Sequence, residues 1–525
     1  MNIAIFCVYT AAALAGILFF SLREFHMLQL NGYKTPEHSW WMKKNYKRYI
    51  FPAVLFALQF IMLAAGTALP VLIGFTAFNL CFSVANKPGK KFKKPLKYTA
   101  RVKRMLTTFW ILEGLIIGVN SFIWRGEFRS PWLYIFINSG LYLTPLLVPL
   151  SNLINKPIEK AIQKWYINDA KRILSEMPSL HKVGITGSYG KTSMKFYLSE
   201  LLGSQYETLK TPESFNTPMG VTITIRQHLK ATHEYFICEM GARRVHEIKE
   251  LCEIAHPHDG IITSVGEQHL ETFGSIDNIL NTKFELADSV QAAGGKIYLN
   301  GDNELIRSRA PKYKGAILYG TTEGCDYRAS DISVSGKGTE FTMTAPGGES
   351  CRFSMKLLGE HSVQNVVGAI AYAHGTGIPL EKLVLPVKRI AAVPHRLQLL
   401  DKGGDLTFID DAYNSNPNGC RAALGVLGLF DACKILVTPG MVELGAKQEE
   451  LNFEFGQEAA AVCDYIVLVG KHQTEPIYNG IKSAGYDMDK VYAADSLGEA
   501  LDKVRAYQTD KKKIVLLEND LPDNY

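Results

Sequence analysis

The sequence lacks any pair of closely spaced cysteines. Its nine cysteines are scattered from Cys7 to Cys463, and no Cys-x-x-Cys motif occurs. A disulfide framework or a zinc cluster needs paired residues at short spacing, so the spacing argues against both. The odd number and the wide spacing predict free thiols in a reducing compartment.

Charge is missing from two long stretches near the N-terminus. The stretches Asn2–Leu22 and Ile50–Ala85 contain no charged residue. The first is long enough to cross the ~30 Å hydrocarbon core of a bilayer, and a cleaved signal peptide is the alternative interpretation. The second is too long for a single span and fits a hairpin of two, which would turn near Gly66-Thr67.

Two further apolar runs follow, Met105–Trp124 and Trp132–Ile154. We therefore expect an α-helical membrane bundle of about five helices over residues 1–155, with four spans as the alternative. Glu113 lies in the middle of the fourth predicted span, where a carboxyl group is costly. It would pair within the bundle or face a polar ligand.

Acidic residues are absent from the segment Lys87–Arg104, which is rich in lysine and arginine. The first loop is also basic, with Lys34, Lys43, Lys44, Lys47 and Arg48. The positive-inside rule places both loops in the cytoplasm, together with everything after Lys156. The basic loops predict contact with a lipid bilayer or a site for a phosphorylated, lipid-linked substrate. Nucleic acid is not an expected partner, because the basic run lies between spans.

The next segment is amphipathic. Apolar residues recur at helical spacing among charges in residues 156–180, which predicts a linker helix on the membrane or against the next domain. The remaining chain has ordinary globular composition.

A phosphate-binding loop is predicted at Val183–Thr192, which reads VGITGSYGKT. A short strand precedes it and a helical pattern, Ser193–Leu202, follows it. This arrangement directs backbone N–H groups and the positive end of the helix dipole at phosphate. Lys191 can reach the β- and γ-phosphates, and the Thr192 hydroxyl can bind Mg²⁺. The common GxxxxGK[ST] spacing is not met, because Ile185 stands in place of its first glycine.

Further polar residues follow predicted strands. Tyr235–Gly241 is a buried strand that reaches Glu239, where a carboxylate beside the loop could ligate a metal. His269 follows the strand Ile261–Val265, and Lys283 lies on the helix Ser275–Val290. Taken singly, such residues are most often solvated.

The motifs TGSYGKTS, EMGA, EQHLETFGS, NTKFELA, LNGDN, GEHSVQNVVGAIA, HRLQ and DDAYNSNP occur in this order. In that order they resemble the Mur ligase family, over about Lys182–Gly470. Within the family they are most similar to the branch that joins D-alanyl-D-alanine to a UDP-N-acetylmuramoyl-tripeptide.

The resemblance implies ATP-dependent amide bond formation with Mg²⁺, in which a substrate carboxylate becomes an acyl phosphate and an amine then attacks it. It implies catalytic residues Lys191, His269, Lys283 and Arg396. It implies metal ligands Thr192, Glu239, His269 and Lys283, the last as a carbamate. It implies nucleotide contacts at Thr186, Gly187, Ser188, Tyr189, Gly190, Lys191, Thr192, Asn300, Asn365, Asp411, Tyr413 and Asn414. Asn216 and Thr217 match the loop that meets the muramyl peptide.

The resemblance also implies the fold. We expect a P-loop α/β central domain over residues 181–394, with antiparallel strands in Tyr327–Phe353 as in the family. A smaller Rossmann-like domain would follow over residues 395–525, where Ile435–Gly445 and Tyr465–Gly470 are typical of parallel strands ending in glycine turns.

The sequence departs from the family pattern in three places. First, membrane segments replace the family's soluble domain that binds uridine. Second, Ser362 stands where the family usually has asparagine. Third, the segment Val515–Tyr525 ends the chain as an acidic tail. Three hypotheses therefore stand: a membrane-anchored ligase that joins D-Ala-D-Ala to a muramyl tripeptide, a ligase for a lipid-linked or other acidic acceptor, and an inactive nucleotide-binding scaffold. The predicted location is the cell membrane, as a multi-pass protein with cytoplasmic catalytic domains.

Overall fold

The chain folds into two compact units in the computed structural model, one reaching Lys164 and the other comprising Trp165–Leu521. The described residues are 3–64, 68–86, 94–123, 131–336, 338–401, 404–412, 416–442 and 444–520.

The first unit is helical. Its helices are α1 (Ile3–Leu30), α2 (Thr35–Lys44), α3 (Lys47–Ala64), α4 (Ala68–Asn86), α5 (Ala100–Ile123) and most of α6 (Pro131–Ser175). Each apolar stretch that the sequence predicts as a span is helical where it is described. The expected turn at Gly66-Thr67 lies outside the described residues. Within them, one segment, Cys7–Leu30, has the length and apolar composition needed to cross a membrane.

The fifth predicted span and the predicted linker helix form one continuous helix. Helix α6 runs through both segments, with Pro145, Pro149 and Pro157 inside it, and it ends at Ser175 rather than Leu180. Each proline removes one backbone hydrogen bond. Polar side chains make additional bonds to carbonyls of the same helix: Ser151 Oγ donates to the Val148 carbonyl at 2.7 Å, and Asn155 Nδ2 donates to the Ser151 carbonyl at 2.8 Å.

The second unit begins with a nine-stranded sheet in the order β2-β3-β1-β4-β5-β6-β7-β8-β9. Its strands are β1 (His181–Thr186), β2 (Thr208–Lys210), β3 (Tyr235–Glu239), β4 (Asp259–Ile262), β5 (Ile297–Asn300), β6 (Ile317–Gly320), β7 (Tyr327–Ser335), β8 (Gly338–Thr344) and β9 (Ser350–Met355). Pairing is parallel from β2 to β7 and antiparallel from β7 to β9. The antiparallel strands expected in Tyr327–Phe353 are therefore confirmed.

Helices cover both faces of this sheet, as a parallel sheet requires. They are α7 (Lys191–Leu202), α8 (Pro218–His228), α9 (Glu247–Ala255), α10 (Leu270–Phe273), α11 (Ile276–Ala292), α12 (Glu304–Arg309), α13 (Glu360–Gly375) and α14 (Leu380–Arg389). One core packs α7 and α13 against the sheet around Val183 and Ile185. The other packs α9 and α11 around Phe236 and Ile262. The carboxyl ends of β1, β3 and β4 thus meet at one edge of the sheet.

A six-stranded sheet follows, in the order β10-β11-β15-β12-β13-β14. Its strands are β10 (Gln398–Asp401), β11 (Leu406–Asp411), β12 (Cys433–Thr438), β13 (Tyr465–Val469), β14 (Val491–Ala494) and β15 (Lys513–Glu518). Its helices are α15 (Pro417–Gly428), α16 (Gln448–Val462), α17 (Glu475–Ser483) and α18 (Leu497–Ala506). All pairs are parallel except β10 with β11, so the expected parallel sheet carries one antiparallel edge strand.

Candidate active site

The phosphate-binding loop joins β1 to α7. Its two glycines adopt positive φ, 153° at Gly187 and 79° at Gly190. A Cβ at Gly187 would lie 2.1 Å from Thr263 Oγ1, and one at Gly190 would lie 2.5 Å from Asn365 Oδ1. Both positions therefore require glycine on conformational and steric grounds.

The rest of the loop is fixed by hydrogen bonds to the strands beside it. Thr186 Oγ1 donates to the Met240 carbonyl at 2.9 Å. The Ser188 and Tyr189 N–H groups donate to the Ser264 carbonyl and hydroxyl, both at 2.7 Å. The loop is thus shaped before any nucleotide arrives, which reduces the ordering that binding requires.

Lys191 begins α7 and folds back over the loop. Its Nζ donates to the carbonyls of Gly187 at 2.6 Å and Ser188 at 2.9 Å. Burial lowers the pKa of Lys191 to about 8, with Glu239 opposing the shift and Arg396 adding to it. The ammonium lies where a phosphate held by the loop would meet it.

Glu239 ends β3 with its side chain almost fully buried, at 1% exposure. Its Oε1 accepts from Thr192 Oγ1 at 3.1 Å and from Asn216 Nδ2 at 2.9 Å. Burial alone would raise the pKa of Glu239, but the cations Lys195 and Lys191 overcome it and hold that pKa below its ordinary value. An ionised carboxylate beside a hydroxyl is a donor set that suits Mg²⁺.

Lys195 is a residue of this cluster that sequence reasoning missed. It lies one turn after Lys191, is fully buried, and places Nζ 2.9 Å from Glu239 Oε2. The signal was present in the sequence: a second lysine four residues after the first shares its helix face.

Lys283 is also buried, at 2% exposure, on α11. Burial lowers its pKa well below the ordinary lysine value, and Lys191 lowers it further. Its Nζ lies 5.9 Å from the centroid of the Phe273 ring. Burial therefore favours the uncharged amine, which is the form that can react with CO₂.

His269 lies just before α10 with a positive φ of 54°. Among the described residues there is no group of three or more His, Cys, Asp and Glu that could hold a metal ion. The ligand set predicted from the sequence does not require such a group, because it combines a hydroxyl, one carboxylate, one imidazole and a modified lysine.

Beside the loop lies a cavity of about 350 Å³, lined by residues from both α/β domains. Five of the predicted nucleotide-contacting residues line it: Tyr189, Gly190, Asn300, Asn365 and Asp411. Arg396, predicted as catalytic, also lines it. Tyr413 and Asn414 lie outside the described residues. Sequence reasoning missed Asn416, which lines the cavity and caps α15 through a 2.8 Å bond from the Gly419 N–H.

Two side chains hold the walls of this cavity. Asn300 Nδ2 donates to the Thr263 carbonyl at 2.8 Å. Asp411 accepts from the Leu397 N–H at 3.2 Å. Burial raises the pKa of Asp411 from 3.8 to about 6, although Arg396 opposes the shift. Arg396 and Asp411 belong to the second α/β domain, so both domains contribute to the cavity.

The predicted acceptor loop lies beside Glu239. Asn216 contacts Glu239, as above, and Thr217 Oγ1 accepts from the Gly220 N–H at 3.3 Å as the N-cap of α8. In the acidic tail, Glu518 is not a surface residue. It is 1% exposed at the end of β15 and accepts from Cys420 Sγ at 3.4 Å. That part of the tail is strand rather than a surface turn.

Comparison with known proteins identifies the family of both α/β domains. The family model for the Mur ligase middle domain matches residues 185–373, and the model for the Mur ligase glutamate ligase domain matches residues 395–518. Together they account for more than half of the chain.

Relatives named UDP-N-acetylmuramoyl-tripeptide--D-alanyl-D-alanine ligase share this region. The protein of Bacillus subtilis is 33% identical over 55% of this chain and 62% of its own length. The protein of Escherichia coli is 29% identical over 61% of this chain and 72% of its own length. The chain thus spans less than two thirds of the Bacillus subtilis relative.

Solved structures show the same fold. MurF from Acinetobacter baumannii superimposes with a TM-score of 0.62 and 26% identity, covering 69% of this chain and 78% of that one. MurF from Thermotoga maritima, solved with ADP, gives a TM-score of 0.61 and 25% identity, covering 68% and 80%. The chain belongs to the Mur ligase family, of which it carries the middle and C-terminal domains.

Proposed function

We propose that this chain is an ATP-dependent ligase that joins D-alanyl-D-alanine to a muramyl tripeptide. The observation that carries the proposal is the arrangement of Lys191, Thr192 and Glu239 at the phosphate-binding loop, next to the cavity that both α/β domains line. The relatives and solved structures named for this reaction supply the substrates.

ATP would occupy the cavity with its phosphates on the loop. Phosphoryl transfer spreads negative charge over the transferring oxygens, and fixed N–H dipoles and cations stabilise it. Lys191 supplies a cation there, and Arg396 supplies another from the second domain. Mg²⁺, held by Thr192 and Glu239, would neutralise repulsion between the carboxylate and the phosphate.

The acceptor carboxylate would attack the γ-phosphorus, forming a carboxyl O–P bond while ADP leaves. The amine of the dipeptide would then attack the acyl carbonyl, forming the amide and releasing phosphate and a proton. Asn216 and Thr217, beside Glu239, are positioned to hold the acceptor.

The buried amine of Lys283 suits a carbamate. Its nitrogen would bond to the carbon of CO₂ and lose one proton, which converts a neutral amine into an anionic oxygen ligand. With His269, that group would complete a second metal site. Burial of Lys283 supports this assignment because a charged ammonium could not react.

We further propose that the first unit is a multi-pass membrane region and that the catalytic domains are cytoplasmic. Large apolar side chains are exposed on each of its long helices, for example Leu14, Val54, Ile73, Leu115 and Leu153. Its interior includes buried amides of Gln59, Asn79 and Asn138, which hydrogen-bond to one another at 3.0 and 3.4 Å. Apolar surfaces over a partly polar interior suit lipid.

This membrane region supports the second candidate function, a ligase for a lipid-linked or other acidic acceptor. It stands where the family has a uridine-binding domain. It contains basic side chains such as Arg101, whose guanidinium carbon lies 3.9 Å from the centroid of the Tyr33 ring. The two functions differ in the acceptor and share the chemistry.

A substrate screen separates them. The full chain in lipid nanodiscs would receive ATP, Mg²⁺ and either UDP-muramyl-tripeptide or a polyprenyl-linked tripeptide, with D-Ala-D-Ala or single amino acids. Phosphate release with the UDP-linked tripeptide and D-Ala-D-Ala supports the first function. Release only with another acceptor rejects it, and no release with any pair supports an inactive scaffold.

A further inference from the structure

Lys195 contacts the metal-side carboxylate and the acceptor loop at the same time. Its Nζ lies 2.9 Å from Glu239 Oε2. The same ammonium donates to the backbone carbonyl of Glu213. The side chain is fully buried, so solvent does not share these contacts.

The two oxygens of Glu239 have different partners. Thr192 and Asn216 bond to Oε1, and Lys195 pairs with Oε2. A carboxylate held on one oxygen alone can rotate about its last bond, whereas contacts on both oxygens fix its plane. Partners behind a metal ligand commonly set its orientation and affinity in this way.

The loop on the other side of Lys195 is tied to the end of β3. Thr211 Oγ1 accepts from the Glu239 N–H at 3.1 Å, and the Gly241 N–H donates to the Asn216 carbonyl at 2.8 Å. Glu213, which accepts from Lys195, has a positive φ of 38°. Residues other than glycine adopt that conformation only where surrounding contacts hold it. Lys195 supplies one of those contacts.

We propose that Lys195 is a positioning residue that orients Glu239 for Mg²⁺ and holds the Asn216–Thr217 loop for the acceptor, so that metal binding and acceptor binding are coupled through one side chain. The proposal rests on the proposed function for the identity of the acceptor, but not for the metal.

The first test is Lys195→Met, which keeps a flexible apolar stem and removes the cation. Binding of Mn²⁺ is titrated by electron paramagnetic resonance in the full chain, with a non-hydrolysable ATP analogue present. Loss of a residue that orients a metal ligand costs about 10–100-fold in affinity, and we expect a loss in that range. Unchanged Mn²⁺ affinity in a variant that still binds the nucleotide would overturn the proposal.

Lys210→Met is the matched control. The Nζ atoms of Lys210 and Lys195 lie at similar distances from the centroid of the Phe196 ring, 5.0 Å and 5.2 Å. The Nζ of Lys210, however, donates to Ser199 Oγ at 3.2 Å. We expect its Mn²⁺ affinity to equal that of the parent. An equal loss in both variants would show a general charge effect and reject the positioning role.

Lys195→Arg provides a second test if the methionine variant does not fold. It keeps the charge but widens the head group, so Mn²⁺ affinity should stay close to that of the parent while the KM for the acceptor rises. Loss of metal affinity without any change in that KM would contradict the proposed coupling. The Mn²⁺ titration needs no ligase turnover, so its result can be interpreted even if the proposed acceptor is wrong.

Discussion

The two units place polar and apolar groups in opposite ways. In the first unit, Leu115 is 59% exposed and Phe122 is 84% exposed, while Gln59, Asn79 and Asn138 are fully buried. In the second, apolar cores cover both faces of the large sheet, and the fully buried Lys195 belongs to a cluster at one edge of it. The difference is the one that the proposed membrane location of the first unit predicts.

The buried polar groups are also arranged differently. In the first unit, the amides of Gln59, Asn79 and Asn138 bond to one another and join helices, and the carboxyls of Glu24 and Glu113 are buried separately from them, each at 1% exposure. In the second, Lys191 and Lys195 lie around Glu239. Because burying a charge is costly unless it is paired or used, a cluster of this kind is a sign of chemistry.

The largest expected effect comes from removing one of those cations. Lys191→Ala should lower ATP-dependent phosphate release strongly, since a cation at the transferring phosphoryl group is worth on the order of 10³-fold or more in turnover. The control is Lys382→Ala, an exposed lysine on α14. Phosphate release by the Lys191 variant at the parent rate would show that the cluster is structural only.

A second experiment compares exposed leucines in the two units. Leu115→Lys should destabilise the first unit, because lysine in a membrane span costs about 2.5–3.5 kcal/mol. Leu385→Lys, at a similarly exposed site on α14 (54%, against 59% for Leu115), should change stability by about 0.5 kcal/mol or less. The stability of both variants is measured by thermal unfolding, and their retention in the membrane by extraction. Equal behaviour of the two variants would remove the evidence for lipid around the first unit.

A smaller effect is expected from pH. Burial raises the pKa of Asp411 from 3.8 to about 6. The folded state therefore binds this proton more tightly, so the contribution to stability is complete below pH 3.8 and is lost as the pH rises through about 6. The shift in pKa limits the contribution of Asp411 to the free energy of unfolding to roughly 3 kcal/mol.

Asp411→Asn should remove that loss. Thermal unfolding of the parent and the variant at several values between pH 4 and 7 gives the comparison. We expect the parent to lose stability relative to the variant across this range. Parallel curves would show that Asp411 does not titrate there.

The sequence predicted the fold of the second unit well because its motifs mark strand ends. Glycine spacing located the loop, and parallel strands brought Glu239 and the loop to one sheet edge. The structure brings Asn300, Asn365, Arg396 and Asp411 together at one cavity, and their roles there stay predictions.

Lys195 was not predicted, since a single sequence does not show which lysine of a helix is buried. The continuity of α6 was not predicted, because the sequence changes from an apolar to an amphipathic pattern near Lys156 and contains three prolines, which usually interrupt a helix. The domain limits and the roles of all the predicted site residues stay predictions.

The transfer of oxygen during turnover tests the central claim most directly. A muramyl tripeptide labelled with ¹⁸O in its reacting carboxylate is incubated with the full chain in nanodiscs, ATP, Mg²⁺ and D-Ala-D-Ala. An acyl phosphate intermediate predicts one ¹⁸O atom in the released phosphate and a pentapeptide product, both read by mass spectrometry. Product formed with unlabelled phosphate, or no product at all, would contradict the account.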